Sequence, residues 1–325
     1  MLSRHVSKSQ VILMEEFDVA IVGSGPAGLS AAIYACRRAL KTVIFERKVV
    51  GGEATLAPVI ENYPGIPAVS GVELASRMEE HAKSFSPKQV NDEVRKVEKS
   101  GERFIVSTQS SGEFSVKAVI LATGTKYRHL DITGEKEFEG KGVSYCATCD
   151  APFFRKRTVA VIGGGNSALT TALMLSDIAA KVYLVHRKAE FRGEETLQKR
   201  LHEKANVEVI MNSSPKQIKG EKFVTALIVE DNSTKQEREI ALNGVFVNIG
   251  TTPGSELAKS LGVELDEAGY TKADSFMRTN VPGVFVAGDL TGGLKQVVTA
   301  AAKGAAAATS AYLFIKKVPL ESIGY

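Results

Sequence analysis

Phe17-Asp18-Val19-Ala20-Ile21-Val22 runs straight into Gly23-Ser24-Gly25-Pro26-Ala27-Gly28, and a helical pattern follows over residues 29–38. An apolar run of this length reads as a buried strand, and strand, glycine turn and helix in that order form a phosphate-binding unit. Gly23 permits the turn, Gly25 lets backbone approach a diphosphate, and Gly28 lets helix and strand pack closely. The helix N-terminus then faces the negative charge, with Pro26 and Ala27 inside the loop. The next strand, Thr42 to Phe45, ends at Glu46, whose carboxylate can accept hydrogen bonds from both hydroxyls of an adenosine ribose. Glycines alone could be ordinary turns; the flanking elements and Glu46 make them informative.

The pattern occurs twice. Thr158-Val159-Ala160-Val161-Ile162 repeats the strand, and Gly163-Gly164-Gly165-Asn166-Ser167-Ala168 repeats the loop with Ala in the last close-packing place. Gly23, Gly25, Gly28 and Glu46 align by one constant offset with Gly163, Gly165, Ala168 and His186. The expected fold is therefore α/β, with two Rossmann-like dinucleotide-binding domains, the second inserted into the first. Residues 1–16 form an N-terminal extension, 17–127 and 257–325 a discontinuous FAD-binding domain, and 128–256 an NAD(P)H-binding domain.

The two repeats differ at the ribose position. Glu46 would repel an additional phosphate, which suits FAD. The second repeat reads His186-Arg187-Lys188 with Arg192 a turn further on, where arginine can fork onto phosphate oxygens and lysine adds a point charge. That suits NADPH, with a solvated basic face as the alternative.

Two of the three cysteines fall in Val143-Ser144-Tyr145-Cys146-Ala147-Thr148-Cys149-Asp150. A Cys-x-x-Cys pair can close a short disulfide, and the adjoining carboxylate of Asp150 could move the proton that thiolate chemistry needs. A zinc site would require a second closely spaced Cys/His pair, and the sequence has none, so no metal is expected. A redox pair and a stapling disulfide both remain open from the pair alone. Cys36, inside the first helix, reads as a packed small residue.

A formal charge of +4 on 325 residues, with Lys and Arg interspersed among Asp and Glu, gives weak support for an acidic partner or anionic cofactor and none for a nucleic-acid role. The run from Val11 to Met14 is short for a signal-peptide core, and no stretch is expected to reach transmembrane length, so the cytoplasm is the expected compartment. The remaining pattern places a helix over residues 69–85, an antiparallel layer over 90–117 with turns at Gly101 and Gly112, and a buried strand over 118–124. A polar helix covers 194–205 and alternating strands 207–247. Gly250 to Gly254 marks the return from the inserted domain. Gly51-Gly52-Glu53 and the segment 61–65 bracket a loop. Near the end, a strand over 283–287 reaches Gly288-Asp289, then Lys295-Gln296 and an Ala-rich helix from Val297 to Lys316, in which Gly304 to Ala308 is expected to pack against a sheet.

In this order the motifs resemble those of the low-molecular-weight thioredoxin reductases, from about Phe17 to Phe314: flavin loop, Cys-Ala-Thr-Cys-Asp, nicotinamide loop, Gly-Asp. The resemblance implies that Cys149 faces the flavin, that Cys146 exchanges with a partner's disulfide, and that Asp150 is the acid/base. It implies that Gly51, Gly52 and Asn62 lie close to FAD, that Asp289 and Gln296 touch its ribityl chain and ring, and that Arg187, Lys188 and Arg192 hold NADPH. Thr123, Gly124, Gly250, Gly288, Lys295 and Val297 complete the expected cofactor contacts. The implied partner is thioredoxin or a glutaredoxin-like protein, and the implied assembly a homodimer. The family usually has a second Arg at Lys188, leaving use of NADH open, a Gln at Glu53, an Arg at Lys295 and an Asp at Asn166. The crossings at 125–131 and 250–256 are expected to serve as hinges. Alternatives on the same scaffold are the reductase of a peroxide-reducing pair and a ferredoxin-linked flavoenzyme.

Overall fold

The computed structural model describes residues 14–57 and 59–319, so all but the last three residues of the expected N-terminal extension, and residues 320–325, lie outside the described residues. The chain divides into two compact units. One holds the described part of the chain up to Gly52, Arg77–Gly124 and the stretch from Gly254 onward; the other holds Glu53–Ser76 and Thr125–Pro253. The sequence had put residues 53–76 with the first domain; here they group with the second unit.

In the first unit Glu15–Val22 is flanked by two parallel neighbours, Thr42–Phe45 on one side and Glu113–Leu121 on the other. Lys88–Val90 extends the sheet beyond Thr42–Phe45. Glu113–Leu121 pairs antiparallel through its first half with Arg103–Thr108 and parallel through its end with Val284–Val286. Val94–Ser100 completes the antiparallel layer, turning at Gly101 and Gly112, both at positive φ. Strand residues alternate faces. Val19 and Ile21 accordingly enter a core shared with the helices Pro26–Arg37 and Val297–Lys316. Ala20 and Val22 enter a second core with Val97, Phe104 and Val106.

The second unit repeats the scheme. A parallel sheet runs Val207–Ile210, Lys181–Val185, Thr158–Ile162, Gly244–Val247, Val143–Ser144. Val159 and Val161 face one core, Ala160 and Ile162 the other. The strands Ser213–Gly220, Val224–Asp231 and Glu237–Ala241 form a separate antiparallel sheet. Where the chain enters and leaves this unit, Thr125–Tyr127 pairs antiparallel with Thr251–Pro253.

One expectation needs correction. Val297–Lys316 is long and apolar enough to cross a membrane by length and composition. Its small residues nevertheless line the first unit's interior: Ala307, Ala308 and Ala311 are fully buried in the core shared with Pro26–Arg37. Gly304 meets that helix, where a Cβ would stand 2.0 Å from the Ala27 carbonyl oxygen, while Ala307 and Ala308 share their core with Ile120 and Phe285 of the sheet, as expected. The alanine composition reflects helix-on-helix approach, which only small side chains permit.

Candidate active site

In the first unit the loop after Glu15–Val22 is shaped by contacts that exclude side chains. Gly23 has φ +104°, and a Cβ there would lie 2.4 Å from the Ala122 carbonyl oxygen; one on Gly28 would lie 1.8 Å from that of Gly23. Gly25 is open, its nearest neighbour being the Gly51 carbonyl oxygen at 3.9 Å from a Cβ position. It precedes a helix with no side-chain N-cap and no acidic residue in its first turn, so the first N–H groups keep their capacity for an anion. One Glu46 oxygen accepts from the Ser24 N–H at 2.9 Å and hydroxyl at 2.8 Å, and the other from the Lys48 N–H at 2.9 Å. Gly51 donates to the Ser24 carbonyl at 2.9 Å, and Gly51 and Gly52 both take positive φ, so this second loop lies beside the first.

A third segment reaches the same place. Gly288, at φ +73°, comes against Ala27, and the turn Gly288–Thr291 carries Asp289. Burial raises the Asp289 carboxyl above its ordinary value, opposed by the Lys295 and Lys303 ammonium groups. Lys295 Nζ donates to the Tyr270 hydroxyl at 2.7 Å, and Gln296 caps the helix Val297–Lys316 through a reciprocal bond with Thr299. Thr123 and Gly124 tie the outgoing chain to the returning one: Thr123 Oγ1 donates to the Gly254 carbonyl at 2.6 Å, and Gly254 N–H to the Gly124 carbonyl at 3.0 Å.

The second loop has the same construction and a different chemistry. A Cβ on Gly163 would stand 2.3 Å from the Asn248 carbonyl oxygen, and one on Gly165 would meet nothing within 4 Å. The helix Asn166–Ser176 again lacks a side-chain N-cap. Asn248 Nδ2 reaches Ser167 Oγ at 3.4 Å, while its Oδ1 is buried without a hydrogen-bond partner. His186, buried, lies against Gly164 and stacks on Phe191, with Nε2 3.1 Å from the Glu190 carbonyl oxygen. Burial holds it below its ordinary value, and Arg192, Arg187 and Lys188 add to that. These three cations are exposed and have no carboxylate at ion-pair distance among the described residues. Their loop folds back onto the glycines: Arg192 N–H donates to the Gly164 carbonyl at 2.8 Å, and Asn166 and Glu194 exchange bonds of 2.9 and 2.7 Å. Gly250, at φ +102°, accepts from the Arg128 N–H at 3.0 Å and belongs to the two-stranded crossing.

The cysteines stand in the same unit, at the end of the edge strand Val143–Ser144. One helical turn, Ala147–Asp150, places the Cys146 and Cys149 Cα atoms 5.3 Å apart, and the two are joined as a disulfide. Ser144 clasps the turn, its Oγ accepting the Cys146 N–H at 3.1 Å. Phe154 anchors the following segment edge-on to Phe246, ring centroids 5.1 Å apart. Burial pushes the Asp150 carboxyl above its ordinary value, with the Ser144 side chain opposing, and its Oδ1 is buried without a hydrogen-bond partner. A carboxyl so placed takes a proton more readily than an ordinary one, and it directly follows Cys149 in the chain. Cys36 is the only free cysteine among the described residues. It is half-buried, and burial raises its thiol.

The first loop, Glu46, Gly51, Gly52 and Gly288 thus come together in the first unit. The second loop, His186, Asn248 and the cysteine pair belong to the second. Asn62 lies on a hairpin over residues 60–69, closed by the Ile60–Val69 bridge and grouped with the second unit. Sequence reasoning missed Ser24, Ser144, Lys303 and Glu135. The nearly buried Glu135 carboxylate accepts from the Leu130 and Asp131 N–H groups at 2.8 Å and from the Tyr145 hydroxyl at 2.9 Å, next to Cys146. The one available signal was Lys303, a single charge in an alanine run.

Residues 17–304 match the family model described as pyridine nucleotide-disulphide oxidoreductase. The thioredoxin reductase of Peptoclostridium litorale is 41% identical over 310 residues, 93% of this chain and 98% of that protein. The thioredoxin reductase of Treponema pallidum is also 41% identical, over 92% of this chain and 97% of its own length. The crystal structure of thioredoxin reductase from Streptococcus pyogenes is 38% identical with a TM-score of 0.86, covering 93% of this chain and 99% of that one. With two Rossmann-type loops in parallel sheets, a Cys-x-x-Cys disulfide ahead of the second loop and likeness over nearly its whole length, the chain belongs to the pyridine nucleotide-disulphide oxidoreductases and, among them, to the low-molecular-weight thioredoxin reductases.

Proposed function

We propose that the protein passes an electron pair from NADPH through FAD to the Cys146–Cys149 disulfide and on to the disulfide of thioredoxin or a glutaredoxin-like protein. The observation that carries this is the disulfide itself, closed across one helical turn with a buried carboxyl at its end. When bound, the nicotinamide supplies a hydride and the flavin carries its electron pair to sulfur, chemistry that side chains lack.

The first unit is assigned to FAD and the second to NADPH. Gly25 leaves backbone open at an uncapped helix end, Glu46 ends the adjacent strand, and Gly51, Gly52 and Asp289 stand beside the loop. A carboxylate at the ribose position disfavours a 2'-phosphate. In the second unit that position carries His186, kept neutral by burial, next to three exposed cations without carboxylate partners, an arrangement suited to a dianion. The orphaned Asn248 Oδ1 adds a polar group at the same strand ends.

The chain's own residues then account for the exchange. Opening the disulfide takes two electrons and two protons, and Asp150, whose proton affinity burial raises, can relay one of them. Cys146 as thiolate attacks one sulfur of the partner's disulfide, breaking that bond and forming a mixed disulfide. Cys149 as thiolate attacks the Cys146 sulfur, closing the internal bond and releasing the partner as a dithiol. Such a cycle suits the reducing cytoplasm, and family likeness supports a homodimer.

The test is absorbance near the flavin band in purified protein, followed by consumption of NADPH and NADH with oxidised thioredoxin. Cys146→Ser should leave reduction of the flavin by NADPH intact and abolish thioredoxin reduction. A colourless protein that takes up no FAD, or a Cys146→Ser variant still turning over thioredoxin, would sink the reading.

A further inference from the structure

Lys303 lies in the second turn of the helix Val297–Lys316, the only ionised side chain between Val297 and Phe314. Side chains of a helix lean toward its N-terminus. This one does so, ending half-buried under the turn that precedes the helix. Its Nζ donates to the Gly292 carbonyl at 2.8 Å and stands 3.5 Å from that of Gly288. It is also the nearest atom to a Cβ position on Gly293, at 3.9 Å. The turn it grips is expensive to order: Gly288, Gly292 and Gly293 take φ of +73°, +68° and +75°. Glycine loses the most conformational freedom on folding. Between them sits Asp289, with no ion pair and no hydrogen bond to its carboxylate among the described residues. The charged groups that act on it through space are Lys295 and Lys303, from the two sides of the same turn. Lys295 is already engaged with the Tyr270 hydroxyl and ring, which leaves Lys303 as the group that both ties the turn down and supplies it with positive charge.

We propose that Lys303 is a positioning residue of the flavin site, clamping the Gly288–Gly292 turn and so fixing Asp289 in one orientation for the cofactor. This rests on the assignment of FAD to the first unit. Burial depresses the ionisation of the Lys303 ammonium and Lys295 adds to that, while Asp289 opposes it.

The experiment compares Lys303→Met, which keeps the apolar stem, Lys303→Gln, which keeps a donor without the charge, and Lys303→Arg. It measures the FAD dissociation constant by flavin fluorescence and the pH at which FAD is released on acidification. Wild-type retention of FAD is read first; its failure strikes the assignment of FAD, not Lys303. Lys303→Met is expected to weaken FAD by about 10- to 100-fold, the range of a lost charged hydrogen bond. Its release pH should move upward, because Asp289 without its neighbouring cation takes a proton more readily. Lys303→Gln should recover much of the affinity near pH 8 (about that value, chosen well above carboxylate titration) while keeping the raised release pH, and Lys303→Arg should restore both. A lysine that merely stabilises the helix would lower the melting temperature and leave both the dissociation constant and the release pH at wild-type values, and that outcome overturns the proposal.

Discussion

In the first unit Gly23 turns beneath the carbonyl of Ala122, and in the second Gly163 turns beneath that of Asn248, at 2.4 and 2.3 Å from a Cβ position. Each glycine follows the strand at which its parallel sheet changes direction of build, and each leads to a helix with an open N-terminus. Backbone geometry is therefore nearly the same twice. The side chains that finish the two loops are opposite. Glu46 is drawn inward onto Ser24, while His186 is buried neutral and the charge beside it is carried outward by Arg187, Lys188 and Arg192. A glycine turn provides a place for a diphosphate; the residue ending the next strand decides which nucleotide carries it.

The largest effect that would break this comparison lies at the close-packing positions. Gly28→Ala sets a methyl 1.8 Å from the Gly23 carbonyl oxygen, which is expected to cost about 3 kcal/mol or more and to empty the first unit of flavin. The reciprocal Ala168→Gly should cost about 1 kcal/mol. Calorimetry with flavin content measures both, and equal losses would mean that the two loops are packed alike after all. Next in size, Arg187→Ala combined with Arg192→Ala is expected to raise the KM for NADPH by about 10- to 100-fold with little change for NADH. A parallel rise for both nucleotides would remove the phosphate from the explanation.

Glu46→Gln strikes the opposite loop. It takes the ionised acceptor from two Ser24 donors, at an expected cost of about 1–2 kcal/mol, seen as weaker flavin retention with the KM for NADPH unmoved. The smallest effect is a pH slope. His186 is held below its ordinary value of 6.5, chiefly by burial. The unfolded chain therefore takes the proton first, and the stability contributed by neutral His186 is fully present above that value and is lost as pH falls below it. Chemical denaturation of the second unit between about pH 7.5 and 5.5, the range spanning an ordinary histidine, should show the loss. His186→Phe, which keeps the stack on Phe191, should flatten the slope.

Much of this was legible in the residue order because it depends on local covalent chemistry. Gly23, Gly163, Gly101 and Gly112 occur where positive φ is required, and the alternation of Val19 and Ile21 against Ala20 and Val22 announces a strand buried on both faces. The repeat with constant offset was enough to place Glu46 and His186 at equivalent strand ends. Contacts made by approach of distant segments were not legible. Lys303 finds Gly292 eleven residues back in sequence through a helix–turn reversal. Glu135 finds Tyr145 ten residues on, and nothing in its neighbours marks it as buried. The alanine run near the end pointed to close packing on a sheet, yet the second surface it meets, the helix carrying Ala27, was set only by where that helix came to rest.

The order of the residues alone determined that two strand–glycine–helix units exist, that one ends in an acid and the other in bases, and that two cysteines stand three apart, because backbone sterics and fixed spacing act over a few residues. Tertiary structure decided what protonation and placement those residues have. Asp150 binds a proton more readily because folding strips water from it and leaves one oxygen unpartnered, and His186 binds one less readily for the same reason with the opposite sign of charge. Desolvation belongs to the packed surroundings, and no run of neighbours along the chain encodes it.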